Sequence, residues 1–158
     1  MPEAVARLNP FYNLSASTVF RLDGTLDKMV GDQVMAFFGA PFRPKDHAYR
    51  AVKAAIEIVS GVGKLAADAE SLPVGGGVAT GEVYVGNVEE GEVRDFTVIG
   101  DAVNTAARLQ AAAGPGEVLV ASETYQAASE FKFAEQRTLK LRGKEMPLVA
   151  HVLRSDGL

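Results

Sequence analysis

Apolar residues recur at helical spacing in two long segments of the chain. In "PEAVARLNPFYNLSASTVFRL" they fall three or four positions apart. Pro10 lies in the middle of this segment, and a proline costs about 3 kcal/mol in a helix interior. We therefore expect a break there, or a helix that begins near Pro10. "KDHAYRAVKAAIEIVSGVGKLAADAE" has the clearer stripe and predicts a helix with Asp46 as its N-cap, weakened in its second half by glycines.

Shorter apolar segments separated by turn residues predict strands. "GTLDKMV" and "QVMAFFG" flank Gly31-Asp32, a pair that suits a type II′ hairpin turn. Further strands are predicted for "PVGGGVATG", "EVYVGNVE", "VRDFTVIG" and "EVLVAS", with a helix over "DAVNTAARLQAAA". A short helix capped by Ser122, and strands in "FKFAEQRTLKLRG" and "PLVAHVLR", complete the chain. This order predicts an α+β fold, a ferredoxin-like βαββαβ plan that lacks its first strand and carries a small C-terminal αββ extension.

Composition narrows the class of protein. The chain has 158 residues, of which 47% are hydrophobic and 23% charged, so we expect one domain, residues 1–158, with a real core. A net charge of −4 argues against a general nucleic-acid binder. There are no cysteines, and only His47 and His151 are available to a multi-histidine metal site. No signal peptide and no apolar run of the roughly 18–20 residues of a membrane span are present, so we expect a cytoplasmic domain.

Two polar groups point to phosphate chemistry. Asn104 and Arg108 are four residues apart on one predicted helix, so their side chains share a face. Asparagine can orient a hydroxyl, and the arginine fork suits phosphate oxygens, although such a pair is more often a solvated helix face. Arg142 and Lys144 in "LRGK" could likewise hold a polyphosphate, with ordinary surface charge as the simpler interpretation.

The predicted hairpin "DKMVGDQVMAFFGAP" carries a cation and a carboxylate in an otherwise apolar run. Strand alternation would place Lys28 on one face with Leu26 and Val30, where it needs an acceptor or must extend to solvent. Asp32, at the hairpin tip, is placed to ligate Mg²⁺ or Mn²⁺, which prefer oxygen ligands. Aspartate is also simply a common turn residue.

Together, these stretches resemble the catalytic domain of class III adenylate and guanylate cyclases. "GDQVMAFFGAP", "DHAYRAV", "GVATGEVYVGN", "RDFTVIGDAVNTAARL", "GPGEVLVAS" and "LRGK" follow the family in order and approximate spacing, from about residue 3 to residue 153. Asp23 stands where the family usually has a glycine. The resemblance implies synthesis of 3′,5′-cyclic AMP and pyrophosphate from ATP, with two metal ions, at a head-to-tail dimer interface.

The resemblance also implies a role for each polar residue. Asp32 matches the second of two metal-binding aspartates, Asn104 the asparagine that orients the ribose, and Arg108 the arginine that stabilises the transition-state phosphate. Arg142 stands where the family carries a triphosphate-binding cation. Lys28 and Thr97 match the purine-selecting pair of the adenine type, which makes ATP the expected substrate. One protomer would give the metal aspartates, and its partner the purine, ribose and transition-state residues.

The chain departs from the family at one place. The family's first metal aspartate lies on a strand that would precede residue 1, and the acids before Asp32 are Glu3, Asp23 and Asp27. On a regular strand Asp27 would face away from Lys28 and would substitute poorly. We therefore expect little or no activity from this chain as a homodimer. Three interpretations remain: an incomplete adenylate cyclase, a non-catalytic cyclase homology domain that dimerises or binds nucleotide as a regulator, or half of a heterodimer whose partner supplies both aspartates.

Overall fold

The structure is a computed structural model that describes residues 2–30, 33–39, 44–65, 74–90, 93–140 and 147–155. Helices and strands follow one another in nearly the predicted order. In sequence they are α1 Pro2–Arg21, β1 Thr25–Val30, β2 Gln33–Phe37, α2 His47–Leu65, β3 Gly76–Val78, β4 Tyr84–Glu90, β5 Val93–Ile99, α3 Asp101–Ala112, β6 Glu117–Ala121, α4 Ser122–Ala127, β7 Glu135–Leu139 and β8 Leu148–Arg154.

The described strands form three sheets. A four-stranded sheet has the order β3-β6-β8-β7, in which β3 and β6 are parallel and the other pairs antiparallel. Two antiparallel hairpins, β1-β2 and β4-β5, stand apart from it. The path from β3 to β6 includes α3, as a parallel connection requires a crossover. No helix in the described part of the chain is long and apolar enough to cross a membrane.

Strand β6 is the centre of the core because both of its faces are covered. Val118 and Val120 pack with α2 residues such as Val52 and Ile56, whereas Leu119 packs in a second cluster that includes Leu109 of α3. All six side chains are at most 2% exposed. The alternation of side chains along a strand therefore assigns α2 to one face of the sheet and α3 to the other.

Helix α1 runs through Pro10 without ending, so the predicted break at this proline is wrong. A proline removes one backbone hydrogen bond of the helix, and packing along the following turns compensates for that loss. Phe11, Ser15 and Val19 are buried on the inner side of α1. The helix lies against α2, where Leu14 contacts Gly61, and it also packs on β1 and β2. Helix α2 likewise continues through both of its glycines.

The turn between α1 and β1 uses an aspartate in a conformation that favours glycine. Asp23 has a φ of 63°, in the left-handed region, which aspartate tolerates better than most residues. Arg50 of α2 donates to the Asp23 carboxylate at 2.9 Å and to the Leu22 carbonyl at 3.3 Å. Arg50 also bonds Asp46 at 2.9 Å and lowers the pKa of that carboxyl. One guanidinium thus joins the end of α1 to the start of α2.

Ser122 does not cap α4 as predicted, because Ala121 occupies the N-cap position and the helix begins at Ser122 itself. The Ser122 hydroxyl instead lies 3.4 Å from Nε2 of His151 on β8. The His151 ring stacks on Tyr125 with centroids 3.8 Å apart, and burial lowers the pKa of His151. This histidine therefore belongs to the packing between α4 and the sheet.

An ion network fastens the turn before β6 to the edge of the sheet. Arg137 on β7 donates two hydrogen bonds of 3.0 Å to the Glu117 carboxylate, and the Gly114 amide donates a third at 2.8 Å. Glu135 accepts from both Arg137 and Arg154. Arg137, then the Gly114 amide, hold the pKa of Glu117 at about 2. The Glu117 side chain is only 14% exposed, so solvent screens these bonds little.

Replacing Glu117 should therefore cost stability in a pH-dependent way. The pKa of Glu117 is lower in the folded than in the unfolded chain, so its stabilisation is present above about pH 5 and is lost as the pH falls towards 2. We expect Glu117→Gln to lower the free energy of unfolding by about 2–3 kcal/mol at pH 7 and by much less near pH 3. Urea unfolding at several pH values measures this. Glu123→Gln, at an exposed position, is the control, and an equal loss at every pH would contradict the ion-network explanation.

Candidate active site

The β1-β2 hairpin contains a bulge that decides where Lys28 points. Leu26 pairs with Ala36 and Lys28 pairs with Met35, so Asp27 is an extra residue in β1. Paired residues of antiparallel strands share a face, and consecutive residues such as Met35 and Ala36 lie on opposite faces. Lys28 and Leu26 are consequently on opposite faces, and the prediction that they share one is wrong. A regular alternation does not pass through a bulge.

The face that carries Lys28 is turned towards α3. After the bulge, Val30 pairs with Gln33, which places Gln33 on the same face as Lys28 and Met35. The Gln33 side-chain amide donates to Oε1 of Gln110 on α3 at 3.5 Å. Helix α1, which lies beside α2, packs on the same hairpin. Lys28 is exposed on the hairpin face that contacts α3 through Gln33.

Helix α3 presents the predicted asparagine and arginine on its open side. Asn104 and Arg108 are both exposed and one helical turn apart, whereas Leu109 is fully buried against β6. The helix lies close to β3 because Gly77 has no side chain. A Cβ atom at Gly77 would lie 2.4 Å from the Ala106 carbonyl oxygen and 2.4 Å from the Gln110 nitrogen. Gly77 therefore fixes the depth of α3, and with it the position of Asn104 and Arg108.

The remaining predicted site residues are described less fully. The backbone of Thr97 lies in β5, opposite Gly86, and β5 packs against β1, which carries Lys28. The Thr97 side chain lies outside the described part of the chain. Asp32 and Arg142 also lie outside the described residues. The structure thus brings the strands of Lys28 and Thr97 together and leaves the positions of Asp32 and Arg142 as predictions.

The described residues do not form a metal centre by themselves. Among them, no three histidine, cysteine, aspartate or glutamate side chains are grouped so as to hold an ion. Both carboxylate oxygens of Asp27 are buried without a hydrogen-bond partner, and Asp23 is bound to Arg50. Neither presents its oxygens as an open metal ligand would. Asp32, which lies outside the described residues, remains the predicted metal ligand.

A cleft of about 480 Å³ opens beside the start of α3. Thr80 and Thr105 contribute hydroxyls to its wall, and Glu82, Asp101 and Glu123 give it three carboxylates. These carboxylates would repel the negative charges of a nucleotide triphosphate. Lys28, Asn104 and Arg108 do not line this cleft. The cleft is therefore a poor candidate for the nucleotide site.

Sequence reasoning missed three features that shape the site: the bulge at Asp27, the role of Gly77 and the contact between Gln33 and Gln110. The run "GGG" at residues 75–77 signals a close approach of backbones, but it does not say which element approaches. The bulge and the contact between the two glutamines have no signal in a single sequence, because both depend on pairing between distant segments.

Known proteins share the fold of this chain. Residues 4–155 match the family model described as the adenylate and guanylate cyclase catalytic domain. The chain belongs to this family. The predicted fold class and family are thereby confirmed.

Curated relatives come from mycobacteria. Uncharacterized protein Rv1319c of Mycobacterium tuberculosis (strain H37Rv) is 37% identical over 151 residues, which cover 90% of this chain. Uncharacterized protein Rv1318c of the same strain is 36% identical over 154 residues, which cover 92% of this chain. In both cases the match covers 27% of the relative, so the chain spans about a quarter of the length of these proteins.

Solved structures of both purine types are similar to this chain. The guanylyl cyclase Cya2 has a TM-score of 0.88 at 29% identity, covering 96% of this chain and 81% of that one. The adenylyl cyclase CyaB from P. aeruginosa has a TM-score of 0.84 at 29% identity, covering 97% and 83%. A rhodopsin-guanylyl cyclase core with converted specificity, in complex with ATPalphaS, has a TM-score of 0.80 at 26% identity, covering 98% and 84%. Similarity to these structures therefore does not decide between an adenine and a guanine nucleotide as the substrate.

Adding a methyl group at Gly77 should displace α3. We expect Gly77→Ala to lower the free energy of unfolding by about 3 kcal/mol, since the new Cβ would meet backbone atoms that cannot rotate away. Thermal and urea unfolding measure the loss. Gly63→Ala is the matched control: Gly63 is exposed within α2 with nothing within 4 Å of its would-be Cβ, so alanine should be neutral or stabilising. Equal effects of the two substitutions would contradict the close-approach explanation.

Proposed function

We propose that this chain is the catalytic domain of an adenylate cyclase, which converts ATP to 3′,5′-cyclic AMP and pyrophosphate at a head-to-tail dimer interface. One observation carries the proposal: Lys28 shares a hairpin face with Gln33, which bonds to α3, the helix that exposes Asn104 and Arg108. Purine-binding, ribose-binding and phosphate-binding groups then lie on one side of the same protomer, which is what one half of a shared site requires.

The preference for ATP is argued from the chemistry of Lys28. A lysine ammonium only donates hydrogen bonds, and adenine offers ring-nitrogen acceptors. Guanine presents N1–H and N2–H₂ donors on the same edge, which an acidic residue would accept better. Thr97, whose strand packs against that of Lys28, can accept from or donate to the purine and fits the adenine type. The family contains both purine types, so this lysine carries the choice of substrate.

In the proposed reaction the ribose 3′ oxygen forms a bond to the α-phosphorus, the bond from that phosphorus to the pyrophosphate oxygen breaks, and the hydroxyl proton passes to water. Asn104 orients the ribose, and Arg108 stabilises the negative charge on the α-phosphate in the transition state. Arg142 binds the triphosphate. Asp32 would hold Mg²⁺ or Mn²⁺ with a second carboxylate, and such ions lower the charge of the phosphates and the pKa of the attacking hydroxyl.

The proposed assembly is a homodimer or a heterodimer of cyclase domains, working in the cytoplasm in cyclic-nucleotide signalling. In a head-to-tail pair, Asp32 serves one site, while Lys28, Asn104 and Arg108 of the same protomer serve the other. A protomer that lacks one metal-binding aspartate can therefore still supply Lys28, Asn104 and Arg108 to the site that it shares with its partner.

A regulatory role is the second candidate, and a specific observation favours it. The acids before Asp32 are Glu3, Asp23 and Asp27, of which Asp27 is buried and Asp23 is bound to Arg50. Neither of these two is free to join Asp32 at a metal. A non-catalytic cyclase homology domain that dimerises or binds nucleotide would keep the same fold and the same nucleotide-binding residues.

Turnover by the chain as it stands separates these candidates. We expect little or no cyclic AMP from ATP with Mn²⁺ at micromolar protein, because neither Asp23 nor Asp27 presents an open carboxylate as a second metal ligand. Fusing a family-type first strand that carries the metal aspartate ahead of residue 2 should produce activity, and Arg108→Ala in that fusion should lower kcat by about a hundredfold. Substantial turnover by the unfused chain would refute the missing-ligand explanation. A fusion that folds but makes no cyclic nucleotide would favour the regulatory candidate.

Purine choice is tested on the active fusion. We expect Lys28→Glu to reduce kcat/KM for ATP relative to GTP by about ten- to a hundredfold, the effect of losing a hydrogen bond from a charged donor. Cyclic AMP and cyclic GMP are quantified in parallel. Lys132→Glu, an exposed lysine beyond α4, is the charge-matched control and should leave the ratio unchanged. An unaltered ATP-to-GTP ratio in Lys28→Glu would remove the assigned role of this lysine.

A further inference from the structure

Gln33 and Gln110 form a side-chain contact between two elements that are far apart in sequence. The Gln33 amide nitrogen donates to the Gln110 amide oxygen at 3.5 Å, across 77 positions of the chain. Gln33 directly follows Asp32, and Gln110 comes two residues after Arg108. The contact therefore joins the strand next to the predicted metal ligand to the helix that carries the predicted transition-state arginine.

The α3 end of this contact is firmly seated. Gln110 follows the fully buried Leu109, and its backbone nitrogen lies where a Cβ atom at Gly77 would clash. Helix α3 therefore has little freedom to slide at Gln110. This end serves as the fixed side of the pair.

The hairpin end is held more loosely. In the described part of the chain, β1 and β2 pair only with each other and not with the four-stranded sheet. Side-chain packing therefore sets the place of the hairpin, which contacts α1 and β5. The Gln33–Gln110 hydrogen bond crosses from β2 to α3.

We infer that Gln33 and Gln110 are positioning residues, which hold the Lys28 face and the tip of the hairpin at a set distance from Asn104 and Arg108. This role rests on the proposed function. Both side chains are uncharged, so they add no net charge beside phosphates and metal ions. Asp32 and Arg108 of one protomer serve different sites of the dimer. By fixing the distance between the hairpin and α3, the glutamine pair therefore links the positions of residues in both sites.

Amide hydrogen exchange, measured without the fused first strand, tests the contact between Gln33 and Gln110 directly. We expect Gln110→Ala, a change on α3, to speed exchange at Met29 and Val34 of the hairpin by about two- to fivefold, the effect of one weak hydrogen bond. Gln33→Ala should match it, and the double variant should add nothing further. Gln110→Glu keeps the acceptor oxygen and should restore slow exchange.

Gln126→Ala is the matched control, because Gln126 is an exposed helical glutamine on α4. Hairpin exchange that stays unchanged in Gln110→Ala, or that changes as much in Gln126→Ala, would overturn the inference. So would additive effects in the double variant.

A second measurement on the active fusion addresses the function of the pair. Gln110→Ala should raise the Mn²⁺ concentration for half-maximal activity by about two- to fivefold, with a smaller change in kcat, although Gln110 would not touch the metal. An unchanged Mn²⁺ requirement would overturn the positioning role. A wild-type fusion without activity would refute the proposed function, and hydrogen exchange would still decide whether the pair fixes the hairpin.

Discussion

The close approach of α3 to β3 at Gly77 is the contact on which the candidate site depends. With no side chain at this position, the helix backbone lies directly on the strand, and Leu109 is buried against β6. The buried side of α3 determines which residues are left on its open side, and these include Asn104 and Arg108. The chemistry assigned to these two residues therefore depends on a position that touches no substrate.

The β1-β2 hairpin, which carries Lys28, is held in a different way from α3. The β1-β2 hairpin shares no backbone hydrogen bonds with the four-stranded sheet among the described residues, so its place depends on side chains. Helix α1 lies beneath it, and the end of α1 is joined to α2 through Arg50. A fixed helix and a less constrained hairpin thus face each other. This combination is common where a site must close on a ligand.

Hydrophobic periodicity predicted the order of helices and strands well, because most elements have one continuous buried face. It failed at Pro10, where a local cost is outweighed by burial of Phe11 and Val19. It also failed at Asp27, because counting alternate residues assumes that no residue is inserted in the pairing. Family resemblance, rather than periodicity, supplied the roles of Lys28 and Arg108. The contact between Gln33 and Gln110 was out of reach of both, since only the folded chain brings these residues together.

The bulge at Asp27 has a consequence for how this hairpin can change during evolution. The residues on either side of it already have their partners, Ala36 for Leu26 and Met35 for Lys28. Loss of the inserted residue would leave both pairs in register and Lys28 on the same face. Elsewhere in a strand, a one-residue deletion moves every following side chain to the wrong side. At this position, related sequences can differ by one residue in length while keeping the same lysine over the same helix.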